Sequence, residues 1–65
     1  MTKEQILESY KECGYNAQNL IHALHEKLKF NGCDESFDGS LVMFHTKEFS
    51  VLVSTCGVQF FKELS

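Results

Sequence analysis

The chain has 65 residues, of which 43% are hydrophobic, and a formal net charge of -3 in which every fixed cation is a lysine. That length allows one domain over residues 1–65 with a small core, since such a chain buries only about 60% of the surface it exposes when unfolded. No apolar run approaches the roughly 18 residues that cross a bilayer, and an acidic chain without arginine is poorly suited to phosphate backbones or base edges. No membrane and no nucleic-acid partner are therefore expected. Three cysteines, Cys13, Cys33 and Cys56, cannot all pair within one chain. The polar start Met1-Thr-Lys-Glu also lacks the apolar stretch of a secretory signal, so a reducing cytoplasm is the expected setting.

The spacing of apolar residues changes partway along the chain. Up to about Leu28 they recur every three or four positions, as on one helix face, and from Ser40 they recur every second position, as on one strand face. Thr2 is a predicted N-cap, with Glu4 and Gln5 in the first turn, and Ile6, Tyr10 and Cys13 mark a helix near residues 3–13. Gly14 suits its C-terminus. Asn16 is predicted to cap a second helix, with Tyr15 packing on Leu20 as a hydrophobic staple. Ala17, Leu20, Ile21, Leu24 and Leu28 form its apolar face, which should stop near Phe30-Asn31-Gly32. The stripe also runs unbroken through Gly14, and one interior glycine costs only about 1 kcal/mol. A single kinked helix over 3–30 is therefore the alternative to two helices.

A polar loop over 31–39 is expected next, then an antiparallel β-meander of three strands near 40–46, 49–55 and 58–64. Asp38-Gly39 is itself a hairpin dipeptide that could add a short strand ending at Phe37, although Asp34-Glu35-Ser36 is weak strand material. If Lys47-Glu48 and Cys56-Gly57 are two-residue loops, Phe44 lies opposite Val51, Val42 opposite Val53, Val53 opposite Phe60 and Val51 opposite Lys62. One sheet face then collects Val42, Phe44, Phe49, Val51, Val53, Val58, Phe60 and Leu64, enough to receive the helices. The fold class is α+β.

The opposite face is the best functional clue. It carries Leu41, Met43, His45, Ser50, Leu52, Ser54, Gln59, Phe61 and Glu63, where a solvated side should alternate to polar residues. In the predicted register Met43, Leu52 and Phe61 form an apolar row across all three strands, flanked by Leu41 and His45, and this reads as a contact patch. Burial of that side by the first helix or by the 31–39 loop is the competing reading. A second feature is the ridge Glu4, Glu8, Glu12, stacked at four-residue spacing. It could meet a basic partner, although a solvated face eased by Lys11 explains it as well.

Chemistry is thinly represented. His22 and His25, three apart on the second helix, could join Cys33 or His45 at a zinc ion, but no Cys-x-x-Cys or His-Glu-x-x-His pattern accompanies them. Cys13 falls on the apolar stripe as a small core residue, Cys56 sits in a turn, and Asp34, Glu35 and Asp38 do not match a calcium loop. No catalytic residue, metal or cofactor is expected. The reading is a small non-catalytic regulator or inhibitor that binds another protein through Leu41, Met43, His45, Leu52 and Phe61. A structural homodimer using the same face is the alternative, and a metal or thiol-redox module is a weaker one. Compact acidic chains of this kind also suit inhibitors carried by phages or mobile elements.

Overall fold

A computed structural model of the chain describes residues 1–62. The element order is α1 (Lys3–Glu12), α2 (Ala17–Lys27), β1 (Gly32–Glu35), β2 (Val42–His45), β3 (Phe49–Ser54) and β4 (Gly57–Lys62). All neighbouring strands are antiparallel, in the order β1-β2-β3-β4. The α+β class holds, with four strands in place of the expected three.

The helical half is two helices. Thr2 closes a capping box on α1: its Oγ1 accepts from the Gln5 N–H at 3.2 Å, and the Gln5 side chain accepts from the Thr2 N–H at 2.8 Å. At the other end Gly14 takes a φ of 68°. Its N–H donates to Lys11 O, and the Tyr15 N–H reaches back to Tyr10 O. This pair of bonds is a Schellman closure, which ends a helix by satisfying carbonyls that would otherwise be orphaned. The closure also decides where Tyr15 goes. Its ring meets Tyr10 edge to face at 5.3 Å and stays 62% exposed, rather than serving as a buried staple for Leu20. Asn16 then caps α2 by accepting from the Asn19 N–H at 3.0 Å. The α2 helix ends at Lys27, before the expected Phe30, because Leu28 turns extended while remaining buried.

The fourth strand, β1, lies inside the stretch expected to be loop. Its residues are poor strand formers, and the hairpin that follows supplies the missing stability. Ser36 donates its N–H to Leu41 O at 2.8 Å, and Gly39 donates to Ser36 O. Asp38 Oδ1 gathers the Ser36 hydroxyl, the Ser40 hydroxyl and the Ser40 N–H at 2.7–3.0 Å. Gly39, at φ 74°, completes a turn that other residues would strain. Gln18 of α2 ties this loop to the helix layer through Gly39 O at 3.3 Å.

The β2–β3 pairing is as expected, with Phe44 opposite Val51 and Val42 opposite Val53. The β3–β4 pairing is offset from expectation by two residues. The loop is Thr55-Cys56, and Ser54 pairs with Gly57, so Val53 lies opposite Val58 and Val51 opposite Phe60. The Ser54 hydroxyl draws the turn inward by accepting from the Cys56 N–H at 3.2 Å. Gly57, at φ 125°, begins the returning strand where a side chain would be strained. A shift of two keeps every side chain on its face and changes only its partners.

The core lies between the helices and one sheet face. Ile6, Leu20, Leu24, Phe44, Val51 and Val53 are fully buried there, joined by Ala17, Ile21, Leu28, Val42 and Phe49. Val58 and Phe60 pack against it from β4, while Leu64 and Glu63 lie outside the described residues.

Candidate functional site

The helices pack on one face, so the other presents Met43 and His45 from β2, Ser50 and Leu52 from β3, and Gln59 and Phe61 from β4. Leu41 precedes β2 on the same side. Met43 lies opposite Leu52 and both are half-buried, whereas Leu41 and Phe61 are exposed. The expected straight row through Phe61 is broken by the β3–β4 offset. Leu52 faces Gln59, and Phe61 faces Ser50, which places Phe61 on the diagonal from Leu52. Diagonal neighbours on a sheet face remain within reach of a large aromatic ring. The patch is thus a bent line of apolar groups with polar residues set into it.

His45 has a different role from that of a patch rim residue. Its Nε2 lies 2.7 Å from Asp34 Oδ2 on β1, and its Nδ1 lies 2.7 Å from Ser50 Oγ on β3. Strand pairing explains the approach. Thr46 donates its N–H to Phe49 O, so by alternation His45 and Ser50 form a non-hydrogen-bonded pair, whose side chains stand close. The carboxylate can only accept, so in a neutral ring the proton stands on Nε2 and Nδ1 accepts from the Ser50 hydroxyl. The chain of groups crosses three strands.

Carboxylate, imidazole and hydroxyl in this order also form a nucleophilic triad in other settings. Here Ser50 is only 6% exposed and lies within a strand, as the second residue of β3. A nucleophile needs an open hydroxyl, and oxyanion donors are best supplied where the backbone turns away. The geometry suits a clasp that stiffens the outer face. Sequence alternation places His45 and Ser50 on that face, but the contribution of Asp34 depends on β1, which the sequence offers only as an optional short strand within the 31–39 loop.

Phe37 enters the sequence reading only as the end of an optional short strand and not as a contact residue. It stands fully exposed at the tip of the β1–β2 hairpin, next to the hydrogen bonds that fix Ser36 and Asp38. Asp38 carries the largest shift here. Bonds from the Ser40 hydroxyl, the Ser40 N–H and the Ser36 hydroxyl hold its carboxyl down to about 2. The only prior signal was the Asp38-Gly39 dipeptide.

The ridge Glu4, Glu8, Glu12 lies exposed along α1. Glu8 and Glu12 line a shallow hollow that also includes Lys27 of α2, so a cation of the chain itself faces them. His22 is exposed on α2, and His45 lies on the far side of the sheet from the helices, so the structure does not bring the two together with Cys33. It does bring His25, Cys33 and Glu35 together at the end of α2 and β1. Cys13 is half-buried at the α1 C-cap, and Cys56 is exposed in the β3–β4 turn. Among the described residues no helix is long and apolar enough to cross a membrane. No protein-family model, curated protein or solved structure matches the chain.

Proposed function

We propose that this chain is a non-catalytic binding module, a small regulator or inhibitor of another protein, whose contact surface is the helix-free sheet face. The observation that carries the reading is the way that face is built. Leu41, Met43, Leu52 and Phe61 supply apolar contact on the sheet, and Phe37 stands exposed at the tip of the β1–β2 hairpin, in a loop already fixed by its own hydrogen bonds. A pre-ordered aromatic group costs little entropy to engage, and central aromatic anchors dominate interface energetics.

The composition of the patch favours a foreign partner over a second copy. Permanent homodimer interfaces are largely apolar, whereas non-obligate ones resemble ordinary surface with polar groups interspersed. Here Asp34, His45, Ser50 and Gln59 share the face with the apolar line. Its one acidic member among the described residues, Asp34, is held by His45, so the face suits a largely neutral partner surface with an apolar groove.

The test is affinity capture with the parent chain, Phe61→Glu on the sheet face and Glu8→Lys on α1, followed by amide exchange on the complex. A partner held by the parent and Glu8→Lys, lost by a folded Phe61→Glu, and protecting β2–β4 supports the reading. Protection confined to α1, or a concentration-dependent dimer with no captured partner, overturns it. If Phe61→Glu unfolds, Phe37→Ser replaces it, since that side chain touches nothing that holds the fold.

A further inference from the structure

A ring nitrogen, a thiol and a carboxylate converge where α2 ends above β1. The donor atoms of His25, Cys33 and Glu35 all lie within 4.8 Å of one another, and His25 Nε2 stands 4.0 Å from Glu35 Oε1. Cys33 and Glu35 are two apart on β1, which puts both on the strand face that looks toward the helices. His25 comes down onto them from the last turn of α2. Its ring is held edge to face against Phe30 at 5.6 Å and Phe44 at 5.0 Å, so its direction is set by packing. Two elements far apart in sequence thus deliver three different ligand types to one spot.

We infer that the chain binds one zinc ion through His25, Cys33 and Glu35, with solvent in the fourth position, and that the ion clamps α2 to the edge strand β1. The donor set selects the metal class: thiolate with imidazole suits zinc, whereas calcium and magnesium demand oxygen cages. Ligand atoms on a tetrahedral zinc stand roughly 3.5 Å apart. The present spread of up to 4.8 Å therefore needs only small side-chain closure, chiefly by the exposed Glu35 toward the packed His25 ring. Charge agrees with the geometry. Burial, then the Glu35 and Asp34 carboxylates, push the Cys33 thiol above its ordinary range. A divalent cation at the centre reverses that balance and displaces the thiol proton to solvent as the sulfur–metal bond forms. Chains this small gain most from such a clamp, and β1, the shortest edge with four residues, is where it falls.

The experiment uses the full chain with Cys13→Ser and Cys56→Ser, so that Cys33 is its sole thiol, titrated with cobalt(II) and then zinc. One equivalent of cobalt should produce a thiolate-to-metal charge-transfer band and the intense visible bands of a tetrahedral site. Zinc should displace it, release the thiol proton and raise the thermal midpoint. Cys33→Ser should abolish the charge-transfer band, and Glu35→Gln, at an exposed position, should weaken zinc by roughly tenfold or more with the fold intact. His22→Ala should change nothing. Absence of the band, full zinc affinity in Glu35→Gln, or stoichiometric zinc that survives Cys33→Ser would overturn the assignment. An ordinary half-buried thiol beside a surface His–Glu pair gives the first of these results.

Discussion

At the level of single residues, Asp38 shows how an exposed side chain can organise a loop. One of its oxygens accepts from the Ser36 hydroxyl, the Ser40 hydroxyl and the Ser40 N–H. The Ser36 hydroxyl in turn accepts from the Leu41 N–H at 3.0 Å. These bonds favour the ionised carboxyl and lower it from the ordinary 3.8 to about 2. A carboxyl depressed on folding contributes stability that is fully present above its unfolded value and lost as pH falls through its folded value. Asp38→Ala should therefore be less stable than the parent near neutral pH. The gap should narrow below 3.8 and close once the pH passes about 2. Urea midpoints of both proteins along an acid series measure it, and a gap that stays constant into strong acid would refute the role of the charge.

Among the elements, the β2–β3 hairpin shows a turn made without turn residues. Lys47-Glu48 has neither the glycine nor the asparagine that two-residue loops favour. The Thr46 hydroxyl compensates: it donates to Phe49 O at 2.8 Å and accepts from the N–H groups of Phe49 at 3.1 Å and Glu48 at 3.3 Å. Thr46 is buried, so Thr46→Val keeps the shape and removes all three bonds. A loss of about 1–3 kcal/mol is expected, with Thr46→Ser much closer to the parent, both read from urea unfolding. The same hairpin marks the reach of sequence reasoning. Its register follows from alternation together with a two-residue loop at Lys47-Glu48: alternation puts Val42, Phe44, Val51 and Val53 on the buried face, and the loop length sets Phe44 opposite Val51. The β3–β4 offset was not legible, since a two-residue slip conserves both faces and was decided by the Ser54 hydroxyl and the backbone of Gly57. The β1 strand was partly legible: Asp38-Gly39 marks a hairpin that could add a short strand, but Cys33, Asp34 and Glu35 have little strand preference, and the strand ends at Glu35 and not at Phe37. The apolar members of the candidate face could thus be read from period two, whereas the Asp34–His45–Ser50 clasp and the His25–Cys33–Glu35 cluster needed β1 in place.

For the whole molecule the decisive feature is that one helix layer covers one side of a four-stranded sheet. Each phenylalanine therefore has a role set by its side. Phe44 is fully buried, with its ring 5.0 Å from both His25 and Phe30 in edge-to-face contact. Phe37 is as exposed as a side chain can be. A domain of this length has roughly 3–10 kcal/mol of stability to lose. Truncating a buried phenylalanine costs about 3–5 kcal/mol, through lost transfer energy and the cavity left behind. Phe44→Ala should thus abolish the cooperative unfolding transition or move it far down in temperature. Phe37→Ala should stay within about 0.5 kcal/mol of the parent, as for surface positions that touch no special feature. The two substitutions separate stability from binding. Phe37→Ala should lose partner affinity with its melting curve unchanged, because the side chain it removes contacts only what lies outside the fold. Calorimetry and the capture assay on the same preparations decide the matter. If Phe37→Ala melts as the parent does and still holds its partner, the hairpin tip is ordinary surface, and the contact rests on Leu41, Met43, Leu52 and Phe61 alone.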